Sequence, residues 1–140
     1  MKVFLAAPLF NDADRAHNSK IAGLLRANGF ETWLAQESGL IKKGSRTEKR
    51  RIFKTDLSAL EGCDVILARL DGADVDSGVA FELGYAASKG KPIIGLKTDL
   101  RSFSTLEEVN LIVEMSLKEL CRETQRAISA LRRIKAAQSP

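Results

Sequence analysis

Short apolar runs alternate with amphipathic stretches along most of the chain. Lys2-Val-Phe-Leu-Ala-Ala7 reads as a first strand, and Asn11 to Asn28 as a helix with Ile21, Leu24 and Leu25 on its buried side and Gly29 as its stop. Glu31-Thr-Trp-Leu-Ala35 predicts a second strand. A polar loop follows from Gln36 to Gly44, then a helix over about Thr47 to Leu60. Asp64-Val-Ile-Leu-Ala-Arg-Leu70 has the length and β-branched content of a buried strand, and Asp71-Gly72 closes it as a turn. Ser77 is placed to cap a helix that begins at Gly78, runs to Lys89 and stops at Gly90, and Pro92-Ile-Ile-Gly-Leu96 follows as a fourth strand. Strands and helices alternating at these lengths predict an α/β fold: a parallel sheet of four or five strands, covered by helices on both faces through right-handed crossovers.

The last third breaks the alternation. Thr105-Leu-Glu-Glu108 and Ser116-Leu-Lys-Glu119 both have capping-box spacing, which predicts one helix up to about Met115 and a long C-terminal helix from Leu117 to about Ala136. On that last helix Leu117, Leu120, Cys121, Ile128 and Leu131 form an apolar stripe, facing either the sheet or another subunit.

A chain of 140 residues with 44% hydrophobic content is expected to fold as a single domain spanning residues 1–140. No apolar run approaches a membrane span, and the start of the chain lacks the layout of a signal peptide. Cys63 and Cys121 are too few for a disulfide framework or a zinc site, and His17 is the only histidine. A reduced, cytoplasmic setting without bound metal is expected, and a Ser/His or Cys/His triad is hard to build.

One charge stands out. From Gly78 to Ser88 the helix is built of small and apolar residues, and Glu82 is its only charged position. Most helical glutamates are merely solvated, but a solvent-facing stripe carries several polar residues, and this helix does not. The loop leaving the C-terminal end of a strand is where ligands bind in parallel sheets. In the second turn of the following helix, the Glu82 side chain leans back toward that crevice and the favourable end of the helix dipole. An ionised, positioned carboxylate is the expectation.

The run L-D-G-A-D-V-D-S-G-V-A-F-E-L-G-Y-A, followed by G-K-P-I-I-G and T-D-L-R, resembles the nucleoside 2-deoxyribosyltransferase family over Lys2 to about Leu117. The resemblance implies a flavodoxin-like fold and exchange of the base on a 2'-deoxyribonucleoside through a covalent sugar–enzyme intermediate. It makes Glu82 the nucleophile. It makes Asp76 and Asp56 the acidic residues at the base, with Asp76 helping to protonate the leaving ring nitrogen. It places Gln36 as a base contact, Ser77 and Gly78 at the substrate end of the helix, and Asn110 as a residue lent by a neighbouring subunit. Without the resemblance, Asp76 reads as a helix cap and Asp56 as a surface charge. Phe4 stands where the family would have a tyrosine that hydrogen-bonds near the nucleophile. No metal or organic cofactor is implied. The partners implied are small molecules, a deoxyribonucleoside and a free nucleobase, in a homo-oligomer with a shared active site.

Charge supplies the rival readings. Lys42, Lys43, Arg46, Lys49, Arg50, Arg51 and Lys54 face only Glu48 between positions 42 and 54. Such a cluster suits a phosphate, and a related branch hydrolyses 2'-deoxynucleoside 5'-monophosphates. That branch tends to have serine where Asp76 stands, and a carboxylate there would repel phosphate. The net charge of +4 is also compatible with nucleic-acid binding. Interleaved Glu119 and Glu123 on the last predicted helix, few aromatics and no recognition signature argue against it. A nucleoside sensor without turnover is opposed by the intact Glu82.

Overall fold

A computed structural model describes residues 1–138. Its sheet is parallel throughout, with β1 (Lys2–Ala6) between β2 (Glu31–Leu34) at the edge and β3 (Val65–Arg69) at the centre, followed by β4 (Ile93–Leu96) and β5 (Glu119–Cys121) in the order β2-β1-β3-β4-β5. Every residue of β3 is buried, as a strand covered on both faces requires. Helices α1 (Asp12–Ala27) and α5 (Thr124–Gln138) cover one face, where Ile21, Leu25, Ile128 and Leu131 meet Val3, Leu5, Val65 and Leu67. Helices α2 (Arg46–Gly62) and α3 (Ser77–Ser88) cover the other, where Leu60, Val79 and Leu83 meet Phe4, Ile66 and Ile93. This is the doubly wound arrangement the alternation predicts.

The first four strands and three helices lie within two residues of the expected bounds, but two expectations fail. The helix cap is Asp76 rather than Ser77: Asp76 Oδ2 accepts hydrogen bonds from the backbone N–H groups of Gly78 at 2.9 Å and Val79 at 3.1 Å, and Ser77 is the first helical residue. The carboxylate satisfies two of the four orphan donors of the first turn.

The C-terminal third also differs. Residues around Thr105 form turns instead of a helix, and a short α4 (Leu111–Ser116) begins only after Asn110, whose Oδ1 accepts from Ile112 N. Ser116 ends α4 rather than capping a following helix; Leu117, Leu120 and Cys121 belong to the approach to β5 and to the strand itself. Long-range pairing decides this. Gly95 of β4 stands opposite Leu120, and a Cβ on Gly95 would lie 2.7 Å from Leu117 Cδ1 and 3.0 Å from Leu120 Cδ1. A bare backbone at position 95 lets β5 and its two leucines close against the sheet. The long last helix exists, but it starts at Thr124 and packs on β4 and β5. No helix among the described residues is long and apolar enough to cross a membrane.

Candidate active site

In a sheet of this order the crevice opens where β1 and β3 send their connections to opposite faces, at the C-terminal ends of the strands. A cleft of about 400 Å³ lies there. Its walls come from the β1–α1 loop with Leu9 and Phe10, from Arg15 on α1, from Gly39 to Ile41 after β2, and from α2 and the start of α3. Into it come Asp56 from α2, Asp76 from the loop after β3, and Glu82 with Gly78 from α3. Three carboxyl positions expected from the sequence thus share one cavity. An apolar hollow of about 340 Å³, flanked by Phe53 and Phe81, reaches Asp56 and Glu82 from the far side. A larger hollow of about 560 Å³ lies at the opposite ends of the strands, by Lys2, Glu31 and Cys63, away from this cluster.

Crowding carboxyl groups in a half-buried cleft has an electrostatic consequence. Desolvation, and then the charges of Asp56 and Asp76, push the Glu82 pKa up to about 8. No side chain or backbone group among the described residues donates a hydrogen bond to it. Burial also raises Asp56, while the Trp33 indole N–H acts in the opposite sense. The helix dipole that suggested an ionised Glu82 is therefore outweighed: the cleft shifts this carboxyl toward its protonated form. Asp76 has both the capping role and a place on the cleft wall, so the two readings of that residue are not exclusive.

The remaining expected positions lie elsewhere. Gln36 does not line the cleft: its Nε2 donates to Arg15 O and Ser19 Oγ, and its Oε1 accepts from Asn18 Nδ2 at 3.1 Å, which ties the turn after β2 to α1. Phe4 is 1% exposed and packs in the core beneath α2 and α3. Ser77 is exposed at the helix start. Asn110 sits beside the β3–α3 loop with Gly72, Asp74 and Val75, outside the Glu82 cleft of its own chain. Of the basic residues from Lys42 to Lys54, none lines that cleft, and Lys54 faces the hollow at the other end of the sheet. Glu48 instead folds the segment locally, accepting hydrogen bonds from the backbone of Lys42, Lys43 and Gly44. Two cations of the C-terminal region are paired within the chain: Arg122 with Glu108, and Arg133 with Glu119 at 2.5 Å. The sequence reading missed Arg15, Phe10 and Ile52 on the cleft wall. For Phe10, an apolar residue in a strand-end loop was the available signal.

The root of the acidic loop is held firmly. Lys97, 1% exposed, donates to Gly72 O and Asp99 Oδ1 at 2.8 Å each, and Asp99 Oδ2 accepts from Gly72 N at 2.9 Å. Asp71 accepts from Thr98 N and Asp99 N. Gly72 has φ +117°, a conformation that favours glycine, so both of its backbone polar groups can face this clamp. Arg101 of the T-D-L-R run pairs with Asp99.

Fold and cavity together define a class: a doubly wound α/β protein with a carboxylate-lined ligand cleft at its switch point. The sequence profile of the nucleoside 2-deoxyribosyltransferase family matches residues 3–129, and the chain belongs to that family, whose members are enzymes acting on N-glycosidic bonds. A Thermofilum pendens protein provisionally named 2'-deoxynucleoside 5'-phosphate N-hydrolase 1 is 33% identical over 100 residues, covering 69% of this chain and 67% of that one. The 2-deoxyribosyltransferase of Bacillus psychrosaccharolyticus has a similar structure, with TM-score 0.79 and 25% identity over 91% of this chain and 90% of that one. The CMP N-glycosidase of Clostridium botulinum shares the fold at TM-score 0.62 and 20% identity, over 94% of this chain and 99% of that one.

Proposed function

We propose that the protein is a nucleoside 2-deoxyribosyltransferase that exchanges the base of a 2'-deoxyribonucleoside by double displacement. The observation that carries this reading is the convergence of Glu82, Asp76 and Asp56 on one cleft, where burial and like charge favour the protonated form of Glu82. Cleaving the glycosidic bond needs an ionised nucleophile and a protonated leaving base. Passing the Glu82 proton to Asp76 or Asp56, and on to a ring nitrogen of the base, meets both needs without net proton uptake. A Glu82 oxygen then bonds to the anomeric carbon as the C–N bond breaks, its electron pair leaving on the protonated base. An incoming base attacks the same carbon, displaces Glu82 and returns a proton to the cluster. Absence of the 2'-hydroxyl removes an electron-withdrawing group beside the cationic transition state, which favours deoxy substrates. Water in place of the second base gives hydrolysis as the slower side reaction.

The second reading, hydrolysis of a 2'-deoxynucleoside 5'-monophosphate, draws on the similarity to the Thermofilum protein. The cleft wall favours the nucleoside. Among the described residues its one cation, Arg15, is engaged with Leu9 O and Asp12, and the carboxylates of Asp56 and Asp76 oppose a phosphate dianion. In the proposed assembly Asn110 serves the cleft of a neighbouring subunit, with exposed Leu111, Ile112 and Met115 of α4 as apolar interface. Chromatography of the protein incubated with deoxyinosine and adenine, beside deoxyguanosine monophosphate alone, separates the readings. Deoxyadenosine and hypoxanthine are expected from the first mixture; free guanine from the second alone would replace the transferase by the phosphate-specific hydrolase.

A further inference from the structure

Three buried side-chain polar atoms lack a hydrogen-bond partner among the described residues: Trp33 Nε1, Asp56 Oδ1 and Arg69 Nε. The arginine lies on the α1 face, bonded to Asp14 O and Asn18 Oδ1. The other two lie on the opposite face, and they are chemically complementary, one a donor and one an acceptor. Trp33 of β2 packs against the core cluster of the α2 face, which contains Leu60, and lines a hollow together with Ala59 and Thr55, the residue before Asp56. An unpaired buried donor and an unpaired buried acceptor each carry a desolvation cost that mutual hydrogen bonding removes.

We propose that Trp33 is the positioning residue for Asp56: its indole N–H closes onto the Asp56 carboxylate and fixes it, ionised, against the cleft. A hydrogen bond donated to the charged form favours that form. The indole acts on Asp56 in this direction, against the burial that raises it. The other titratable and charged groups around the pair are Glu82, which carries the proton, Asp76 and Arg15 on the cleft wall, and Lys2, Glu31 and Lys54 around the outer side of the indole. Keeping Asp56 ionised leaves the shared proton on Glu82 until a base arrives to take it. The inference rests on the reading of Asp56 as an acid at the base, yet the coupling itself is measurable without turnover.

Trp33 is the only tryptophan, so its indole gives a single 1H–15N cross-peak. That peak is followed with pH in the wild type, Asp56→Asn and Glu82→Gln. The expected result is a pH-dependent peak whose movement survives in Glu82→Gln and vanishes in Asp56→Asn. With aspartate carboxyl carbons labelled, Trp33→Phe should shift the Asp56 midpoint upward, and where exchange is measurable the limb of the kcat/KM profile governed by Asp56 should move to higher pH. Loss of packing alone would lower the rate without moving the limb. An indole peak that ignores pH, or that still moves in Asp56→Asn, overturns the proposal, and the wild-type titration decides the matter even if Trp33→Phe fails to fold. Absence of exchange beside an intact indole coupling would count against the transferase and not against this pair.

Discussion

Replacing Glu82 by glutamine tests the electrostatics of the cleft apart from any reaction. Glutamine keeps the shape of the side chain and cannot ionise. In the unfolded chain the carboxyl titrates near its ordinary value of 4.5; in the fold it titrates near 8. The native state therefore binds this proton more tightly than the unfolded state. The contribution of the protonated carboxyl is fully present below pH 4.5 and is lost as pH rises through 8. At 1.36 kcal/mol per unit the whole gap is worth up to about 5 kcal/mol, of which about 3 kcal/mol has developed by pH 7. Both are upper bounds, because water reaches one side of the half-buried group. Urea denaturation of wild type and Glu82→Gln between pH 4 and 9 gives the difference in unfolding free energy directly. Any fixed cost of burying an amide offsets the curve without changing its shape. The variant should gain on the wild type from pH 4.5 upward and level off above 8. A flat difference curve, or one that falls with pH, would show that the cluster holds no proton and would remove the proton source from the proposed mechanism.

The clamp at the root of the acidic loop makes a contrary prediction. Burial works against ionisation of Asp99, but hydrogen bonds from Lys97, Arg101 and Gly72 N outweigh it and hold the pKa at about 2. Its stabilising contribution is present above the ordinary value of 3.8 and is lost as pH falls through 2, so Asp99→Asn should flatten acid unfolding below pH 4. Lys97→Met leaves Asp99, Leu70 O and Gly72 O without their buried donor and should cost about 3 kcal/mol or more in urea titrations. Gly95→Ala drives a methyl into Leu117 and Leu120 and should cost about 1–3 kcal/mol by the same assay. Asp76→Asn should slow base release more than binding, seen as a drop in kcat with little change in KM. Reversing Lys49, Arg50 and Arg51 to glutamate should leave nucleoside KM unchanged, since none of them lines the cleft; a large rise would return the basic cluster to the substrate.

Local patterning carried the first two-thirds of the chain because there the local and global preferences agree. The run from Val65 to Arg69 has the length and β-branched content of a covered strand and is one, and stops such as Gly29 and Gly90, both at positive φ, end helices where the spacing says they should. After residue 100 the two preferences part. Leu117, Leu120 and Cys121 fit a helical stripe as well as a strand, and what decides is Gly95, a residue more than twenty positions away whose missing side chain leaves room for the leucines. Pairing partners are not written into the local period.

The candidate site divides along the same line. That Glu82 was unusual could be read from its own helix, because an isolated charge among small residues is a local anomaly. Its protonation state could not, because that depends on Asp56 arriving from α2 and Asp76 from the loop, twenty-six and six residues earlier in sequence. The dipole argument was sound in sign and too small in size: helix-end effects are worth about 0.3–1 kcal/mol at such positions, whereas desolvation with two like charges nearby is worth several. Gln36 shows the converse. A side chain expected at the base from sequence position is committed to α1 by three hydrogen bonds, so presenting it to a ligand would leave Asn18, Ser19 and Arg15 O short of partners. A sequence position brings a residue near a cleft; the hydrogen-bonding demands of its neighbours decide whether it faces in.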